Sequence, residues 1–350
     1  MKKLFLLAAM VGTVLTGCMK NEVHVPKCET PISFEVANYV AQTRAEGTFA
    51  TTETFGVNAW SHDAAAASGA EVQMMTNQEV AYTGGKWTTG TPYYWPLNGT
   101  VDFIAYYPYS TTVEDKHRPI ITYDYNGADT LKYKDYTVGN VDLMYADKAV
   151  RFSANVNTYG FDGVPTLFHH ALAKVNFQVK NAYPAETATG ANTTYEIVVD
   201  KITLNTHHTG SVTLTNAGTD DASRGTWSVA NNVWTPTSAL TALEWTSDVN
   251  LADGSEVAYA TRTQYVLPQT LADDVTVKVV YTVTQKQNGT TISVKQYTPE
   301  AIKLNTMGLT KWEMNKNITY TISIIAKSNQ IFFDPYVEEW GSANGAVTIQ

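Results

Sequence analysis

Apolar and polar residues alternate with a period of two along most of this chain. Ile32-Ser33-Phe34-Glu35-Val36 sets Ile32, Phe34 and Val36 on one face. Val101-Asp102-Phe103-Ile104-Ala105-Tyr106 and Lys174-Val175-Asn176-Phe177-Gln178-Val179 repeat the pattern. Successive side chains of a strand point to opposite faces, so this period predicts strands with one buried side. Further strands are predicted over 195–204, 211–214, 265–267, 275–284 and 291–297. The last long one aligns Ile318, Tyr320, Ile322 and Ile324. Turn signals fall between the runs: Gly84-Gly85, Asn98-Gly99, Asn126-Gly127, Asp253-Gly254 and Asn288-Gly289. Asn-Gly between alternating runs favours a tight hairpin, whose two central residues need positive φ. No window of helical length carries a 3.6-residue stripe. Short strands with frequent turns predict an all-β chain, and the length suits two β-sandwich domains. The division is placed near Pro165, after the glycine-containing, strand-poor stretch 155–163. It gives an N-terminal domain over 45–164 and a C-terminal one over 165–330.

One apolar run does not alternate. Lys2 and Lys3 precede Leu4 to Leu15, a charged region followed by an apolar stretch too short for a permanent membrane span. The run ends in Leu15-Thr16-Gly17-Cys18, where small residues before a cysteine match the lipobox of bacterial lipoprotein signals. The expectation is a signal peptide over 1–17 and a lipid on Cys18 that attaches the precursor to the outer membrane. An ordinary secretory signal with a cysteine nearby is the alternative. Cys28 is the second of two cysteines, so with Cys18 lipidated no intramolecular disulfide is expected.

Composition agrees with strands and narrows the chemistry. Charged residues are 16% of the chain, against about 25% in ordinary soluble domains. Tyrosines number 21 and tryptophans 8, residue types that fit a pleated, half-buried surface. A net charge of −9 without a basic stripe argues against nucleic acid. No nucleophile elbow, zinc-protease helix motif, phosphate-binding glycine loop or calcium-loop spacing occurs, so no catalytic residue, metal ligand or cofactor is assigned. His169-His170 and His207-His208 are the tempting metal features. Neighbours on a strand face opposite ways, so each pair offers one imidazole to any one site, and structural histidines are the simpler reading. Asp220-Asp221 and Asp273-Asp274 sit in turn-like contexts, where Asp bonds its own backbone. Tyr93-Tyr94-Trp95-Pro96 and the aromatics after Asp102 concentrate rings on neighbouring strands. Core packing explains them more simply than a sugar-stacking platform.

An ordered set of short motifs carries a resemblance. Tyr94-Trp95-Pro96 is followed by Phe103-x-Ala105-Tyr106-Tyr107-Pro108, then by Leu167-Phe168-His169-His170-Ala171-Leu172-Ala173-Lys174-Val175. Val266-Leu267-Pro268-Gln269, Trp312 with Asn315-Lys316, and Pro335-x-Val337-x-x-Trp340 complete it. Together with the lipobox, the set resembles the Bacteroidetes fimbrillin family, the subunits of type V pili and their Mfa-like relatives. The resemblance implies two sandwich domains of transthyretin-like Greek-key topology. It implies further that an arginine-specific protease removes the first strand and that a C-terminal strand of the next subunit replaces it.

The residues needed for such an exchange are present. Ile32, Phe34 and Val36 form the face of a removable strand within a propeptide over 18–44. The Arg44-Ala45 bond lies in a polar segment that ends in glycine. Ile331, Phe333, Val337, Trp340, Val347 and Ile349 give the tail 331–350 the makings of a donor strand. Re-burying three to five large apolar side chains is worth roughly 5–15 kcal/mol. Ordering a free tail opposes this by about 1–2 kcal/mol per residue. An exposed arginine that no protease meets, and a tail paired within its own chain, are the competing readings. The expected partners are other fimbrial subunits and the protease. A fimbrial shaft subunit leads, with a tip or accessory adhesin binding a host glycan or protein as the alternative.

Overall fold

The computed structural model describes residues 31–38, 49–63, 71–96, 98–126, 129–153, 163–182, 192–216, 235–236, 238–251, 255–325 and 330–339. Within them the chain is all-β, its helical content a single 3-10 turn at Leu304–Thr306. The first strands are β1 (Phe34–Asn38), β2 (Thr54–His62), β3 (Val72–Thr83), β4 (Lys86–Thr89) and β5 (Thr100–Tyr107). They are followed by β6 (Ile120–Thr122), β7 (Asp129–Thr137), β8 (Met144–Ala146), β9 (Ala149–Phe152) and β10 (Val164–His170). Next come β11 (Ala173–Asn181), β12 (Thr193–His207), β13 (Thr209–Asn216), β14 (Thr235–Pro236), β15 (Leu240–Leu251) and β16 (Glu256–Val266). The last are β17 (Gln269–Thr270), β18 (Thr276–Gln287), β19 (Thr290–Tyr297), β20 (Ile302–Lys303), β21 (Lys311–Trp312), β22 (Lys316–Ile325) and β23 (Gln330–Glu339).

Each strand read from the alternation overlaps one of these. Two of the turn signals join neighbouring strands of a hairpin, whereas Gly127, Asp253-Gly254 and Asp220-Asp221 lie outside the described residues. Gly84-Gly85 turns β3 into β4, and Asn288-Gly289, with φ of 50° and 78°, turns β18 into β19.

An eight-stranded sheet runs in the order β2-β3-β4-β1-β10-β8-β5-β9, and a further β2–β5 pairing closes it on itself. Its interior holds Ile32, Phe34, Phe55, Trp87, Trp95, Phe103 and Phe168. Later in the chain, β16-β11-β22-β23 and β15-β12-β18-β19 enclose a second core, lined by Val175, Phe177, Ile197, Val277, Ile318 and Tyr320. Between these cores lies a third. Ile104 and Tyr106 project from the second face of β5 onto Leu131, Tyr133 and Tyr136 of β7 and Val212 and Leu214 of β13. The β13–β7 ladder makes this layer continuous, because one strand comes from each part of the chain. Pro165 falls at the head of β10, whose residues pair in the first sheet. The chain changes cores a few residues later, between Phe168 in the first and Ala173 in the second.

β5 is therefore buried on both faces, and close approach is needed on either side. Gly56 of β2 lies opposite Tyr106, and a Cβ there would overlap the Tyr106 ring. The ring is fixed at its far end by a hydrogen bond from the phenol to Asn77 Oδ1. Burial pushes the Tyr106 phenol up to about 12, so it stays a neutral donor. Gly56→Ala is expected to destabilise by about 1–3 kcal/mol through overpacking. Denaturant unfolding will show a lower midpoint at unchanged slope.

Candidate functional site

The residues expected to form a removable strand do form a strand, and its position is unusual. β1 lies inside the sheet, parallel to β10 from Phe34↔Val164 to Asn38↔Phe168 and antiparallel to β4 at Phe34↔Trp87. Its entry is fixed by a Pro31–Tyr94 bridge and by Ile32 N–H donating to Tyr93 O at 2.8 Å. Val164 N–H donates to Ser33 O at 2.8 Å. Gly163 allows this approach, since a Cβ there would stand 2.8 Å from the Phe34 carbonyl carbon and 2.9 Å from Ser33 O.

The alternation decides which side chains enter the core. Ile32 and Phe34 are 2% and 4% exposed, and Val36 is partly buried against the same cluster. Phe34 meets Phe55 and Phe103 edge-on, at centroid distances of 5.9 and 5.6 Å. Phe49, the first described residue after β1, stacks on Phe168 at 5.1 Å and meets Trp87 and Tyr107 edge-on. The slot lining is apolar and uncharged. The buried phenol of Tyr107 donates to Glu53 Oε2 at 2.9 Å and is pushed above the ordinary phenol range, first by burial. Such a slot accepts an extended backbone with apolar side chains at every second position.

Removing β1 would strip both β10 and β4 of a partner inside the sheet. Each buried backbone group left unpaired costs about 1–3 kcal/mol, so the slot cannot stay as it is when empty. Sequence reasoning missed Trp87 and Gly163. The Trp87 signal is alternation resuming after Gly84-Gly85; the Gly163 signal is a glycine just ahead of a buried run.

The other expected residues lie elsewhere in the chain. Ile331, Phe333 and Val337 are on β23, antiparallel to β22 from Ile324↔Ile331 to Ile318↔Val337, and pack on the second core. β23 is an edge strand, which suits Pro335 because proline cannot donate to a ladder. Cys18, Arg44, Ala45, Trp340, Val347 and Ile349 lie outside the described residues.

The histidine pairs have ordinary partners. His169 Nε2 is 3.0 Å from Asp147 Oδ1 and its ring stacks on Tyr145, while His170 Nδ1 bonds Asp142 on the opposite face. His207 Nδ1 is 3.1 Å from Ser238 O. Burial, then Lys116, lowers His208 below the usual imidazole range. Asp273 accepts from Lys303 Nζ at 2.6 Å and Asn305 Nδ2 at 2.8 Å, and the Lys303 bond holds its carboxyl below the usual range. Among the described residues no group of three His, Cys, Asp or Glu is placed to hold a metal. No helix there is long and apolar enough to cross a membrane.

Comparison with known proteins places these features. A fimbrial protein from Bacteroides vulgatus superposes with a TM-score of 0.61 at 19% identity, covering 89% of this chain and 99% of that one, which shows a shared fold. A candidate cell adhesion protein from Bacteroides uniformis aligns over 89% of this chain and 99% of its own, at 18% identity and a TM-score of 0.44. No curated protein matches the chain. The fimbrillin-like family model matches residues 43–340, from beside Arg44 to the end of the Pro335-x-Val337-x-x-Trp340 motif. This chain belongs to the fimbrillin-like family.

Proposed function

We propose that the protein is a structural subunit of a type V fimbria, exported as a lipoprotein, matured by cleavage after Arg44 and polymerised by strand exchange. The observation that carries this reading is β1 itself, a short N-terminal strand in the interior of a sheet, with its apolar face in the core. Fimbrillin-like membership supports assembly with other subunits and a surface role in adhesion. The architecture proposed is two β-sandwich domains of transthyretin-like Greek-key topology, with the slot in the first.

The order of Arg44 in the sequence supports the cut. It comes after the end of β1 at Asn38 and precedes Phe49, which is buried. Cleavage of Arg44-Ala45 would sever β1 and leave Phe49 anchored. The cut strand would then be held by its ladder and a few apolar side chains, each worth roughly 1.5–3 kcal/mol. A donor strand that restores the same contacts can displace it, whereas solvent cannot.

The donor is the C-terminal tail of a neighbouring subunit. Ile331, Phe333 and Val337 are engaged by β22 of their own chain. The part able to reach a neighbour without breaking that ladder is 340–350, with Val347 and Ile349 as alternate apolar positions. The lipid on Cys18 would hold the precursor at the outer membrane and leave with β1. Partners are thus other fimbrial subunits, an arginine-specific protease and a host glycan or protein met by the finished fibre.

Three outcomes test this reading. An arginine-specific protease is expected to yield a new N-terminus at Ala45, read by N-terminal sequencing, and Arg44→Ala to abolish it; a resistant wild-type bond overturns maturation. Phe34→Ala is expected to destabilise the precursor by about 3–5 kcal/mol and to speed loss of the cleaved segment, seen by gel filtration and mass spectrometry. Truncation after Glu339 leaves β23 in place and is expected to give folded monomers that form no fibres by electron microscopy. Undiminished fibres would overturn the donor assignment.

A further inference from the structure

On the face of β5 away from the slot, a lysine is buried between two aspartates. Lys148 lies in the turn from β8 to β9, with its side chain 6% exposed. Its Nζ stands 2.9 Å from Oδ2 of Asp129, the first residue of β7, and 3.4 Å from Oδ2 of Asp102 on β5. Both aspartates are inaccessible to solvent. The Tyr123 ring covers the amine at 4.6 Å, and the phenol donates to Asp102 Oδ2 at 3.0 Å. Nζ also donates to Asp124 O at 3.1 Å.

Two details distinguish this from an ordinary ion pair. Asp129 Oδ1 accepts the Asp124 backbone N–H at 2.6 Å, whereas Oδ2 has no hydrogen bond of good geometry although Nζ is close. The amine therefore approaches the carboxyl without donating squarely to it, while the other oxygen is polarised. Burial also holds the Asp129 carboxyl above the usual carboxylate range, favouring the neutral acid. One ammonium serves two buried carboxylates, with the His62 imidazole 3.4 Å from Asp102 Oδ2 as a further neighbour, and an uncompensated charge in a dry site is strongly destabilising.

We propose that Lys148 and Asp129 are joined by an intramolecular isopeptide bond that the folded protein forms by itself, with Asp102 moving the proton. The step balances without an oxidant or cofactor. One ammonium proton passes to the Asp129 carboxylate, giving a neutral amine and a neutral acid. Nζ attacks Asp129 Cγ, and the developing negative charge falls on Oδ1, held by the Asp124 N–H. Asp102 takes a second proton from Nζ and delivers it to the Oδ2 hydroxyl. The Cγ–Oδ2 bond breaks and water leaves. The products are a neutral amide and one water, and Asp102 is again a carboxylate. Proximity is the main driving factor, since the reacting atoms are held together by three separate elements.

The bond would tie the start of β7 to the β8–β9 turn. β7 belongs to the ladder with β13, and β8 and β9 belong to the sheet that holds β1. The cross-link would thus fasten the middle layer to the slot-bearing sheet. It would also restrict the unfolded chain as a disulfide does.

Intact-mass measurement of the denatured full-length protein tests this directly. The expected mass is lower than that of the sequence by one water, with a branched proteolytic fragment joining the Asp129 and Lys148 peptides. The full sequence mass, or a water loss mapped to other residues, overturns the proposal. Lys148→Arg keeps the charge but removes the nucleophile, and Asp129→Ala removes the acceptor; both are expected at their full masses. Asp129→Asn is expected to lose ammonia in place of water, an outcome that a purely structural ion pair would not give. Asp102→Asn is expected to retain its full mass while keeping a native circular dichroism spectrum. The wild-type measurement stands whether or not the variants fold.

Discussion

The structure depends on a backbone constraint, that no strand inside a sheet can be missing. β1 is flanked by β10 on one side and β4 on the other, so its amides and carbonyls complete two neighbours at once. An edge strand can be lost at the expense of its own contacts. An interior strand takes with it the pairing of both neighbours and the side chains that seal the core, here Ile32 and Phe34. Were it to leave, a substitute would have to arrive at the same time, because the vacated site would combine unpaired backbone groups with exposed aromatic rings. The requirement belongs to the sheet rather than to the sequence of β1. A second chain can meet it with alternating apolar residues in an extended backbone.

The two parts of the chain solve the same pairing problem in different ways. β10 and β11 are nearly contiguous, and each takes one parallel partner, β1 for β10 and β22 for β11. β22 leads at once into β23, which pairs with it along its whole length and places Phe333 on the core. The parallel strand of the second core is thus locked in by its own continuation. Among the described residues β1 has no hairpin partner that follows it directly in the chain. The chain after Asn38 next contributes Phe49, which packs with Phe55, Trp87 and Phe168 rather than extending the ladder. Among the described residues, the parallel strand of the first core is thus held by its two neighbours and not by a hairpin partner of its own.

Period-two alternation makes β1, β11, β12, β18 and β22 legible from sequence, because each buries one face against one core. β3 is hidden for a physical reason. Its Asn77 has φ of 46° and its register to β2 shifts twice, so its buried residues Met75 and Val80 are five apart and no simple alternation survives. β5 reads as a strand but not as a strand buried on both sides. Ile104 and Tyr106 look like the polar-side positions of an alternating run until β13 arrives from far along the chain to cover them. The slot is half legible. Ile32, Phe34 and Val36 stand out by pattern, whereas Gly163 and Trp87 gain meaning only from the parallel β10 and antiparallel β4 pairings that bring them to β1. That His169 and His170 share no site is legible, since adjacent strand residues diverge, but their aspartate partners lie too far back in sequence to be inferred.

The double burial of β5 also separates what can change from what cannot. Phe103 faces the slot and touches Phe34, while its neighbour Asp102 points the other way, into the polar cluster of Lys148, Asp129 and Tyr123. Adjacent residues on one strand thus serve opposite layers, one holding an aromatic contact with β1 and one a buried charge network. The layers are close-packed, so a shift transmitted through β5 would disturb both. Gly56 and Tyr106 resist such a shift, as the ring sits directly over the glycine and is bonded at its far end to Asn77. A strand clamped from behind in this way presents a fixed wall to β1. The strand exchange proposed above would require such a wall, one that does not adapt to the strand seated on it.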